Sequence, residues 1–209
     1  MRLTLMMFVT LDGVYQAPGG PDEDRDGGFE HGGWVVPYMD DEMLGAIAGI
    51  FDEADAFLLG RRTYEIFAAS WPKVTDPDDP VASRLNSLPK YVASRTLDDV
   101  SWEGSQLLKG NLATEVAELK RRPGRELQLH GSGGLAQTLI QHDLIDEYRL
   151  FTYPVVLGTG KRLFAHGAKP TALNVVDRKA TSTGVSIEAY TPAGEPSYGV
   201  AGAEYEDDA

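Results

Sequence analysis

Cysteine is absent from this chain of 209 residues. That removes disulfides, thiolate metal sites and cysteine nucleophiles, and it fits a reducing compartment such as the cytoplasm. Basic charge is scarce: 19 Lys and Arg stand against 32 Asp and Glu, a formal net charge of -13. A nucleic-acid partner calls for a basic stripe that displaces counterions from phosphates, and none is present, so nucleic acid is not an expected partner. Long apolar runs are missing too. Nothing approaches the roughly 20 apolar residues of a membrane span, and the apolar start of the chain is broken by Thr4 and Thr10, with no small-residue cleavage site after it. Four histidines, His31, His130, His142 and His166, show no metal-ligand spacing, so no metal is expected. There is no G-x-S-x-G elbow. Gly158-Thr159-Gly160-Lys161 is not a P-loop, because Val155 stands at the first glycine position and Arg162 follows the lysine.

What is present is an alternation of strand and helix signals, in a length that suits one domain of about 100–200 residues. Residues 2–10 read as a buried first strand. Residues 16–33 are rich in Gly, Pro and Asp and form a long loop, either a functional lid or a surface insertion. Met39–Phe51 reads as a helix, with Met43, Leu44, Ile47 and Ile50 at three- and four-residue spacing. Short strands follow at Ala56–Leu59, Tyr91–Ala93, Leu127–His130 and Tyr148–Val156, with helices at Arg62–Ala69, Val81–Leu88, Leu112–Lys120 and Leu135–His142. Such alternation predicts an α/β fold with a mostly parallel sheet flanked by helices on both faces. Residues 172–181 and 184–191 predict an antiparallel hairpin at one edge. Residues 193–209, with acids and no Lys or Arg from 195 onward, read as an acidic flexible tail after a domain spanning 1–192.

Ligands of open α/β sheets bind beyond the carboxyl ends of the strands, and three such ends carry suitable turns. Gly60-Arg61-Arg62-Thr63 opens a helix, where free N–H groups and the arginines favour phosphate; the alternative is a glycine turn before a solvated basic helix start. Ser94-Arg95-Thr96 suits a phosphomonoester such as the 2′-phosphate of NADP, or simply caps a turn. Gly131-Ser132-Gly133-Gly134-Leu135-Ala136 fits G-x-G-x-x-A between a strand and a helix, as a pyrophosphate site would. It lies too late in the chain for a standard Rossmann domain.

Taken together these residues resemble the dihydrofolate-reductase-like family. Gly60-Arg61-Arg62-Thr63-Tyr64-Glu65 and Ser94-Arg95-Thr96-Leu97 resemble the cofactor elements of dihydrofolate reductases. Leu129 to Leu135, Leu144-Ile145-Asp146-Glu147, Pro154 to Phe164 and Asp12-Gly13 are similar to the C-terminal reductase domain of the bifunctional riboflavin-biosynthesis deaminase–reductase. The resemblance implies a cytoplasmic NADPH-dependent oxidoreductase acting like a 5-amino-6-(5-phosphoribosylamino)uracil reductase. Dihydrofolate reduction is the alternative within the fold, and a non-catalytic nucleotide-binding module is the alternative of another class. It further implies NADPH held by Gly60, Arg61, Arg62, Thr63, Ser94, Arg95, Gly131, Ser132, Gly133, Gly134 and Leu135. On the substrate side are Asp12, also the candidate catalytic group, and Trp34, Asp40, Lys161 and Arg162, with Glu42 beside Asp40 as a second carboxylate. Asp40 and Glu42 also suit a helix start, and Lys161 and Arg162 a solvated turn. Deaminase-type zinc chemistry is excluded by the lack of cysteine. A homodimer is expected from the same resemblance.

Overall fold

The first strand, β1 (Arg2–Thr10), is buried along nearly its whole length, which places it at the centre of a sheet rather than at an edge. The computed structural model describes residues 1–164 and 166–201. Among these, eight strands form one sheet: β1, β2 (Ala54–Gly60), β3 (Lys90–Ala93), β4 (Ser105–Leu108), β5 (Glu126–His130), β6 (Glu147–Tyr153), β7 (Leu173–Ala180) and β8 (Ser186–Pro192). Their spatial order is β4-β3-β2-β5-β1-β6-β8-β7. The pairings from β4 to β6 are parallel, and β8 pairs antiparallel with both β6 and β7.

Helices cover both faces, as parallel strands require. On one side, α4 (Leu112–Arg121) and α5 (Gly133–Gln141) bury Val116, Leu119, Ala136 and Leu139 against Leu3, Leu5 and Leu127. On the other, α1 (Asp41–Asp52), α2 (Arg61–Ser70) and α3 (Pro80–Ser87) bury Met43, Ile47, Phe51, Tyr64 and Leu85 around Met6, Phe57 and Phe151. Met43, Ile47 and Phe51 recur every four residues, so one stripe of α1 faces the sheet. The helix starts at Asp41 because the Asp40 carboxylate accepts from Met43 N at 2.7 Å, a regular N-cap. Among the described residues no helix is long and apolar enough to cross a membrane.

The expected α/β architecture and C-terminal hairpin are present. The hairpin begins one residue later than expected and stays paired to the first residues of the expected tail, since Ala172 N donates to Gly194 O at 2.8 Å. Residues 202–209 lie outside the described residues. Strand β4 carries no apolar run and was not expected. It is an edge strand that buries Leu108 and adds to the sheet mainly through backbone pairing with β3.

Candidate active site

Strands β2 and β5 lie side by side, so the turns at their carboxyl ends meet. Gly60 N donates to Ser132 Oγ at 2.9 Å, and Ser132 Oγ donates to Thr63 Oγ1 at 2.8 Å. Two sequence segments more than 60 residues apart are thus joined by one hydroxyl. Gly131 (φ +54°) and Ser132 (φ +55°) are both left-handed, a tight turn that glycine eases at the first position. Neither α2 nor α5 has a side-chain N-cap. Their first-turn N–H groups and positive helix ends therefore face the same space, which is what an anionic pyrophosphate needs.

That space is a cavity of about 690 Å³ lined by Gly60–Thr63, His130–Leu135 and a second, apolar wall. Met6 and Phe8 of β1, Leu44, Ile47 and Phe51 of α1, and Phe67 of α2 form much of that wall. The loop expected at 16–33 lines the cavity through Gln16, Glu23 and Asp24, with Tyr15 just before it. It is anchored. Buried Gln16 donates to Asp24 O and Asp26 O, both at 3.0 Å, and accepts from Lys161 N at 3.0 Å, while Trp34 Nε1 donates to Gln16 O at 2.8 Å.

The loop also neutralises the cations at the mouth. Asp24 and Asp26 receive Lys161 Nζ, each at 2.8 Å, and Arg62 at 2.5 and 3.3 Å. Burial works to lower the Lys161 pKa, but the two carboxylates win and it is raised. Arg61 pairs more loosely with Glu65, at 3.5 Å.

The structure brings Gly60, Arg61, Arg62, Thr63, Gly131, Ser132, Gly133, Gly134, Leu135 and Lys161 to one cavity. The other candidates do not line it. Asp12 accepts from Thr10 Oγ1 (2.6 Å), Leu157 N (3.2 Å), Gly158 N (2.9 Å) and Arg162 (3.1 Å), tying the end of β1 to the 157–162 turn. Partial burial would raise its pKa, but these four donors hold it well below the usual carboxylate range. Arg162 is committed to Asp12 and to Gly158 O. Trp34 is buried edge-on against Tyr153. Asp40 caps α1 and accepts from Ser182 and Thr183, and Glu42 accepts from Ser182 N, so both fasten α1 to the β7–β8 turn. Ser94 Oγ caps its own turn by accepting from Thr96 N and Leu97 N at 3.1 and 3.0 Å. Arg95 beside it is exposed.

Two further cavity residues, Tyr15 and His130, were not among the candidate site residues. Tyr15 lays its ring across Gly133, where a Cβ would collide with it. His130 sits at the cavity floor, 4% exposed, packed at a tilt against Phe51 with ring centroids 4.4 Å apart. A histidine preceding a glycine turn has no pattern that separates it from a core residue.

Residues 2–187 match the RibD C-terminal domain family. The chain is 32% identical to the uncharacterised protein YyaP of Bacillus subtilis (strain 168), over 88% of this chain and 91% of that one. Among solved structures it is similar to a putative riboflavin biosynthesis protein from Shewanella sp. PV-4, with TM-score 0.65, 22% identity and coverage of 92% and 99% of the two chains. It is also similar to a diaminohydroxyphosphoribosylaminopyrimidine deaminase/5-amino-6-(5-phosphoribosylamino)uracil reductase from Thermotoga maritima, with TM-score 0.59 and 14% identity, covering 91% of this chain and 56% of that one.

Proposed function

The chain belongs to the RibD C-terminal domain family, and we propose that it is a cytoplasmic NADPH-dependent reductase of a small ring-bearing substrate. The observation that carries this reading is the junction of two uncapped helix starts, α2 and α5, through Ser132 beside an apolar cavity. The first turns of α2 and α5 would hold the pyrophosphate with backbone N–H groups, and Arg61 and Arg95 would meet the 2′-phosphate. When bound, the cofactor supplies a hydride to the substrate, and a proton from water or a side chain completes the reduction. The chain's own part is to orient the two rings face to face and keep water out of the apolar wall of Met6, Phe8, Leu44, Ile47 and Phe51.

A phosphoribosylaminouracil substrate asks for cations, yet Lys161 already holds Asp24 and Asp26, and Arg162 holds Asp12. A pterin asks for a carboxylate in the cavity on α1, yet Asp40 and Glu42 are spent on the β7–β8 turn. The reaction is therefore the reduction of a small ring. Residues 1–192 are the reductase domain and 193–209 an acidic tail. The working form is a homodimer, which sedimentation at micromolar concentration checks against the mass of a single chain.

A steady-state assay of NADPH oxidation, run across reducible heteroaromatic, quinone and pterin compounds, tests the activity. Turnover of at least one class is expected. Cofactor binding without turnover on any of them would instead make the protein a nucleotide-binding module.

A further inference from the structure

The cavity floor presents an acceptor for which the described residues provide no donor. Gln128 Nε2 lies 2.6 Å from Ile50 O and 2.8 Å from Glu126 Oε2, both acceptors, so this atom is the amide nitrogen and Oε1 is the acceptor. Gln128 Oε1 in turn lies 3.0 Å from His130 Nε2. Nε2 therefore carries the proton, and Nδ1 of the neutral ring is a bare lone pair. Among the described residues the one sealed side-chain polar atom lacking a partner is Ser105 Oγ. Nδ1 has no hydrogen-bond partner among the described residues and is not one of the sealed atoms, so it opens to the cavity that His130 lines.

The surroundings narrow what meets it. Phe51 and Phe57 pack on the imidazole, and Met6, Leu44 and Ile47 stand on the same wall. Burial keeps the ring neutral, with its pKa lowered to about 3. Charge at the mouth is already paired, Lys161 and Arg62 with Asp24 and Asp26, and Glu23 adds a further acid. A phosphorylated ligand would have to displace two carboxylates to reach those cations. An apolar ring with one donor satisfies everything the floor offers.

Building on the reductase reading, we propose that the substrate is an uncharged, flat, largely apolar ring that donates one N–H or O–H to Nδ1 of His130, and not a phosphorylated sugar-linked pyrimidine. His130 then acts as the specificity-determining residue, because a buried acceptor left without its donor penalises analogues that lack one.

Indole and benzofuran are near-isosteric probes that differ in the N–H, and uridine 5′-monophosphate stands for the phosphorylated class. Their affinities are measured by calorimetry on the full chain, wild type and His130→Phe, with NADPH binding followed separately by its fluorescence. Indole should bind at least tenfold more tightly than benzofuran, the nucleotide should not compete, and His130→Phe should erase the indole preference. Should that variant fail to fold, the nitrogen spectrum of the wild type decides: the Nδ1 resonance of His130 should shift with indole and stay with benzofuran. Equal affinity for indole and benzofuran in the wild type, or displacement of indole by the nucleotide, overturns the inference. If NADPH still binds in that case, the reductase reading stands without it. If NADPH fails to bind, the reductase reading falls whatever the rings do.

Discussion

The ring of Tyr15 lies across the backbone of Gly133, in the very position that a side chain on residue 133 would take. The second glycine of the G-x-G-x-x-A pattern is thus explained first by the ring of a residue that lines the cavity. Gly134, one residue on, has open space around its Cα.

Gly133→Ala should expel Tyr15 and lower stability by roughly 1–3 kcal/mol, the usual effect of overpacking. Gly134→Ala should raise it, by up to about 1 kcal/mol, from helix propensity alone. Thermal unfolding of the two variants beside the wild type checks this. Equal effects would mean that the Tyr15 contact does not form.

Asp12→Ala removes four hydrogen bonds, three of which join the end of β1 to the 157–162 turn. The loss should be about 1–3 kcal/mol by denaturant titration. NADPH affinity should change less than twofold, because Asp12 does not line the cavity. A stable Asp12→Ala protein that has lost cofactor binding would return Asp12 to the site.

The parts of this molecule that were legible in the sequence are those fixed by local pattern. β1 reads as a buried strand in spite of Thr4, and the periodicity over Met43, Leu44, Ile47 and Ile50 finds Met43 and Ile47 of the buried stripe of α1, though Leu44 proves exposed and Phe51 completes the stripe. The two glycine turns after β2 and β5 were visible, but their junction through Ser132 depends on β2 and β5 being neighbours, which no local signal encodes. β4 was invisible because an edge strand needs little apolar sequence. Asp12 was sited by its resemblance to the family and Asp40 by its place at a helix start, while the structure shows each carboxylate engaged by nearby backbone and hydroxyl donors. Asp24 and Asp26 stand in a loop whose sequence names no partner for them, and only the fold sets them against Lys161 and Arg62.

Acid should destabilise the protein through His130. Its folded pKa is lowered to about 3, by burial first and by Arg149 second, against an ordinary 6.5. Between these values the unfolded chain binds the proton and the folded one does not, so stability is lost as pH falls below 6.5. The slope should approach one proton, about 1.4 kcal/mol per pH unit. Unfolding measured from pH 7 to pH 4 should show this component in the wild type and not in His130→Phe; identical slopes would place the proton elsewhere.

The proposed cofactor, a 2′-phosphorylated nicotinamide dinucleotide, would bind across the ends of β2, β3 and β5. Fluorescence titration of NADPH and NADH against the wild type and Arg95→Ala tests it most directly. One charge-assisted contact contributes roughly 1.5–3 kcal/mol, enough for at least about a tenfold preference. The wild type should bind NADPH at least tenfold more tightly than NADH, and Arg95→Ala should remove most of that preference while leaving NADH nearly unchanged. Equal affinities in the wild type, or no saturable binding of either dinucleotide, would contradict the account.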